Sequence, residues 1–132
     1  MENLLSPSKI PLYLLLGFFA ITFLQSAADK AMDWKGNLSF LNGHFKNSPL
    51  AKVVAPMLGT LTVVEFISGL ACVYVIIQMC FTGSTEHVSC ALTICGINLL
   101  MLLVGQRLAK DYAGAASVGN YLILVLLGFV LL

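Results

Sequence analysis

Thr60-Leu61-Thr62-Val63-Val64-Glu65-Phe66-Ile67-Ser68-Gly69-Leu70 lies in a long apolar run. No Asp, Glu, Lys, Arg or His other than Glu65 occurs between Lys52 and Glu86. A run of that length and apolarity reads as a membrane span. An acid at the centre of a span costs roughly 2.5–3.5 kcal/mol on insertion scales. Glu65 therefore needs a partner, a hydrogen bond or water, and an acid in that position marks a functional site by default.

Working outward, charge-free runs over Ile10–Ala28, Val88–Gln106 and Tyr112–Leu132 are each long enough for one more spanning helix. Hydrophobic residues make up 59% of the 132 and charged residues 10%, against about 25% charged in a soluble domain. Mean hydropathy is +0.95. The chain reads as one all-α membrane domain over 1–132. It is expected to be an up-down bundle of four transmembrane helices at about 10–34, 53–80, 88–108 and 112–132. A net charge of +1 gives no basis for nucleic-acid binding. Lys9, an apolar run and Ser26-Ala27-Ala28 have the outline of a signal peptide. The short polar segment after them and three further spans argue for a retained first helix instead.

The first helix opens with Ser6-Pro7-Ser8 and carries Pro11 in its first turn, where a missing N–H matters little. Trp34 marks its interface end. Asp29, Lys30 and Asp33 in its last turns form a polar cluster with Arg107 and Asp111, and Lys30 and Asp33 have pairing spacing. Residues 35–52 form the only long connection. Gly36 can close the first helix and Asn37 can cap a short new one. Leu38, Leu41 and Phe45 share its apolar stripe, with Asn42 and Lys46 opposite, which gives an interfacial amphipathic helix between the first two spans. His44 belongs to its polar edge rather than to a metal or proton site. Asn37-Leu38-Ser39 matches a glycosylation acceptor, placed against the lipid surface.

Six of the seven basic side chains fall in the 28–52 connection or the 107–111 turn, and Lys9 alone falls opposite. That asymmetry puts both connections in the cytoplasm and both termini outside. Measured from Trp34, Pro56, Arg107 and Tyr112, the residues Gln25, Glu65, Asn98 and Asn120 lie eight or nine positions into their helices. At about 1.5 Å per residue they share a level about 12–14 Å deep. They are expected to form a mid-membrane layer of one carboxyl and three amides. The layer can fix helix register, or it can hold a proton or a small polar head group such as that of a quinone.

Cys72 and Cys80 belong to the second helix, and Cys90 and Cys95 to the third. Folding that hairpin brings Cys80 opposite Cys90, where an oxidising compartment would allow a disulfide. Cys72 and Cys95 read as deeper and off level. No cysteine or histidine spacing suits a metal, and no phosphate loop or nucleophile elbow is present.

Residues Gln25–Asn37, Glu65-Phe66-Ile67-Ser68-Gly69 and Gly105–Ala116 resemble the DoxX-like family of small four-helix bacterial membrane proteins, in particular its short Bacteroidota-type members. The resemblance covers nearly the whole chain. It implies an inner-membrane location and a loose association with redox systems. The related MauE-like and vitamin K epoxide reductase-like proteins use a close-spaced cysteine pair, which this chain lacks. The resemblance carries no catalytic residues. Three functions are open at this point. One is an accessory subunit of a larger membrane complex, contributing no chemistry. The second is a quinone- or lipid-binding redox partner built on the layer around Glu65. The third is a small transporter or proton-handling protein. The partners expected are membrane lipid and other membrane subunits, with no cofactor beyond a quinone or bound lipid.

Overall fold

The computed structural model describes residues 7–132, so Ser6 of the expected helix opening lies outside the described residues. Five helices follow in order: α1 Ile10–Met32, α2 Trp34–His44, α3 Val54–Thr82, α4 Val88–Leu108 and α5 Tyr112–Leu131. Four of them, α1, α3, α4 and α5, are long and apolar enough to cross a membrane. The described residues contain no strand. The all-α, four-span bundle with a short helix between the first two spans is thus the observed architecture.

The helix ends follow local chemistry. At the start of α1 Pro11 takes an early position where no N–H is needed. The neighbouring Lys9 amine donates to the Gly83 carbonyl at 2.6 Å. Gly83 sits at φ 70°, the left-handed turn that closes α3, and its N–H bonds back to the Met79 carbonyl. A cation at the carbonyl end of α3 is favoured by the helix dipole, and it pins the N-terminal end of α1 to the α3–α4 turn.

At the other end of α1 the observed boundary differs from the expected one. The helix stops at Met32 rather than Trp34, and Asp33 rather than Asn37 caps α2. Asp33 leaves helical geometry (φ −127°, ψ 58°), and its carboxylate accepts the Gly36 N–H at 3.3 Å. An acid at an N-cap gains both from this bond and from the dipole. Asn37 serves the older helix instead: its amide donates to the Asp33 carbonyl at 2.8 Å. Gly36 therefore lies inside α2. The expected apolar stripe survives this shift, with Phe45 buried, Leu38 and Leu41 half-buried, and Asn42 and Lys46 exposed.

Pro56 lies in the first turn of α3, where a missing N–H matters little. Buried hydroxyls inside the spans have no water to bond. Thr62 and Ser68 accordingly donate back to the carbonyls of Leu58 and Val64, each at 2.7 Å. Asp111 caps α5 by accepting the Gly114 N–H at 3.0 Å.

The helices pack in a ring. α1 lies on α3, α3 on α4 and α4 on α5, and a thinner α5–α1 seam closes the circuit. That seam is made by Phe18 against Tyr121, with rings 5.8 Å apart, and by Gly128 beneath Leu15. Leu12, Leu16, Phe19 and Phe23 of α1 meet Val75 and Met79 of α3 and Leu92 and Leu99 of α4 in the core. Large apolar side chains such as Leu14, Ile21, Val63, Leu70, Ile97, Val104, Ile123 and Val130 face outward on all four long helices. In water this surface would be an aggregation hazard; in a bilayer it is the lipid contact.

Candidate functional site

Glu65 faces the bundle interior, 2% exposed. Its partner is Lys30 of α1, whose ammonium lies 3.1 and 3.3 Å from the two carboxylate oxygens. Lys30 also donates to Ser26, one turn back on α1, at 2.6 Å. The acid in the apolar run is therefore neutralised by a base from the neighbouring helix. The lysine is 19% exposed, so the pair has one sealed member and one member near an opening.

This replaces the expected layer of four. Gln25 and Asn120 are exposed on the outer faces of α1 and α5. Asn98 is fully buried, but neither atom of its amide has a hydrogen-bond partner. The four residues share a depth but not a direction. Gln25 stands two positions from buried Phe23 and Ala27, and Asn120 two from buried Val118. Two positions are about 200° around a helix.

The expected cytoplasmic cluster also divides. Lys30 turns inward to Glu65 instead of pairing with Asp33, because Asp33 leaves the helix to cap α2. Asp29 is exposed, and its backbone carbonyl accepts from the Asp33 N–H. The guanidinium of Arg107 lies over the Tyr112 ring, 4.8 Å from its centre. Asp111 faces His44, with Nε2 to Oδ2 3.7 Å. His44 is thus drawn to the α4–α5 corner, and its ring also stacks on Phe40 and meets the edge of Phe45.

These pieces surround a cavity of about 740 Å³ at the α2 end of the bundle. α2 and the following turn form one wall through Phe40, Leu41, Phe45 and Leu50. Met57, Thr60 and Leu61 of α3 form another, and Met101, Leu102 and Gly105 of α4 a third. Lys30, His44, Gln106 and Asp111 supply its polar groups. The side-chain amide oxygen of Gln106 is buried against Gly114 and has no hydrogen-bond partner. Large size, an apolar lining and a few polar groups are the features of a small-molecule site. The sequence reading reached Lys30, His44 and Asp111 individually but missed the chamber. Its signal was the interfacial helix itself, which has to cover something.

The cysteines pair differently from expectation. Cys80 and Cys90 are free and exposed. Cys72 and Cys95 are free and fully buried, with their sulfurs 3.5 Å apart. Among the described residues no three His, Cys, Asp or Glu side chains gather as a metal-holding group. No known family model, curated protein or solved structure matches this chain.

Proposed function

We propose that this integral membrane protein binds an amphiphile, a quinone or a lipid, in the chamber between α2, α3 and α4. The observation that carries this reading is the chamber itself. It is apolar over most of its wall, lies at the α2 end of the bundle, and has Lys30, His44 and Asp111 in its lining for a polar head. The Lys30–Glu65 pair then has a role beyond neutralisation: Glu65 fixes the ammonium at the chamber wall. The likeness to DoxX-like proteins, an inner-membrane location and a redox link are parts of the same proposal, and rest on the stretches quoted above.

Gly105 provides the test. A Cβ added there meets only Phe45, at 3.7 Å, an ordinary contact, and Gly105 lines the chamber. Gly105→Leu should therefore grow into the chamber without disturbing the helices. Native mass spectrometry of protein purified in mild detergent should find an amphiphile on the wild type, and at least tenfold less on Gly105→Leu at an unchanged unfolding midpoint. Equal occupancy of the two would overturn the assignment. The same preparation reports on a second reading, an accessory subunit of a larger complex. That reading is favoured by the amides of Gln25 and Asn120, which face outward in the middle of spans where only another helix could bond them. Co-purification of a protein subunit is its expected mark.

The chamber end is proposed to be cytoplasmic, because Lys30, Lys35, Lys46, Lys52, Arg107 and Lys110 belong to it. The start of α1 and the end of α5 then lie outside. In a Cys80→Ser/Cys90→Ser background, which removes the two exposed native thiols, a cysteine placed at exposed Lys46 should resist a membrane-impermeant maleimide in intact cells and react after permeabilisation. Prompt labelling of intact cells would invert the topology.

A further inference from the structure

Cys72 of α3 and Cys95 of α4 face each other across the bundle core, Sγ to Sγ 3.5 Å, and neither thiol has exposed surface. A disulfide needs about 2.05 Å between sulfurs. The two atoms must approach by about 1.5 Å to form one, a movement within reach of small side-chain rotations. The helices that carry them are consecutive and packed together. One turn along α4, Asn98 holds a buried amide with both its nitrogen and its oxygen unpartnered. An unused donor and acceptor therefore lie within a turn of the sulfurs in an otherwise apolar core.

Burial also restricts the oxidant. Neither cysteine lines the chamber, so an oxidant reaches the sulfurs only when the α3–α4 packing opens locally, and the bilayer around the bundle keeps a charged, water-borne reagent from that opening. The oxidant must dissolve in the membrane and accept two electrons. We propose that Cys72 and Cys95 are a redox-active dithiol that closes to a disulfide between α3 and α4 as a lipid-soluble quinone becomes hydroquinone. Two S–H bonds break and one S–S bond forms. Two electrons and two protons pass to the two quinone oxygens, and no other reactant is needed. The bond would lock the α3–α4 packing on which two walls of the chamber stand. This assignment rests on the sulfur geometry and holds whatever the chamber contains.

The test uses reduced full-length protein in mild detergent with duroquinone, whose fully substituted ring cannot trap thiols by addition. The expected result is the loss of two hydrogens in the intact mass and one equivalent of duroquinol. A linked peptide containing Cys72 and Cys95 should follow on non-reducing digestion. The Cys80→Ser/Cys90→Ser double variant should behave like wild type, and Cys95→Ala should lose the reaction. An unchanged mass in the wild-type protein, or a link that involves Cys80 or Cys90, would overturn the proposal. Gly105→Leu should still form the bond, which separates failure here from failure of the amphiphile reading.

Discussion

Lys30→Met is expected to lower stability by about 3–5 kcal/mol, the usual consequence of leaving one member of a buried ion pair alone. Glu65 has 2% of its side chain exposed, so water cannot replace the lost ammonium. Glu65→Gln should be milder, at about 1–3 kcal/mol. The amide keeps the size and one acceptor, and Lys30 is the member near the opening. Lys30→Met/Glu65→Leu removes both charges and should recover most of the loss, since apolar replacement of a whole buried pair is often close to neutral. Unfolding in mixed detergent micelles of Lys30→Met, Glu65→Leu and the double variant, run as a double-mutant cycle, measures the coupling. If the two single losses simply add in the double variant, the pair contributes nothing and the site has another basis.

The span count was legible because charges are scarce. Runs without Asp, Glu, Lys or Arg end close to the helix ends, most closely for α4 and α5. Glu65 was legible as an inward residue because no other placement of an acid in that run is cheap. Its partner was not legible. Lys30 stands 35 residues away at a helix end, and the length of a lysine side chain lets its ammonium lie well away from its backbone level. The polar layer failed for a different reason. Counting along a helix fixes depth, whereas direction is fixed by periodicity. Spans that are apolar on every side, as α3 and α5 are, carry only a weak periodic signal. In α1 the stripe Leu12, Leu16, Phe19, Phe23 and Ala27 does mark the buried face and excludes Gln25 from it.

The cysteines show the same limit. Depth was misread as well as direction: Cys72 and Cys95, expected off level, meet with their sulfurs 3.5 Å apart across α3 and α4. Cys80 is eight positions from Cys72, about 80° around α3, and Cys90 is five from Cys95, about 140° around α4. Only one pair can face the core. The structure turns Cys72 and Cys95 inward, together with Ser68, Val75 and Leu92.

Gly69→Val is the second substitution expected to have a large effect. Lipid offers no hydrophobic drive for one apolar helix to join another, so association depends on close packing and on polar contacts. The α1–α3 interface is the most extensive in the bundle. At Gly69 the helices leave no room for a side chain: a Cβ there would lie 2.5 Å from Leu24 Cγ and 3.2 Å from the Leu24 backbone nitrogen. Leu24 can rotate its side chain away, but its backbone nitrogen cannot move without moving α1. Gly69→Ala should therefore be largely rescued by Leu24→Ala, and Gly69→Val should not. The valine should cost about 1–3 kcal/mol, the range for overpacked cores. Glu65 lies one turn from Gly69, so separating the helices also draws the carboxylate from Lys30 and couples the two substitutions. Gly17→Val is the control, since nothing lies within 4 Å of a Cβ at that position. Unfolding midpoints of the three glycine variants, with and without Leu24→Ala, measure the effect. A Gly69→Val midpoint equal to that of Gly17→Val would show that α1 and α3 do not approach as closely as described, and the Lys30–Glu65 contact would lose its support.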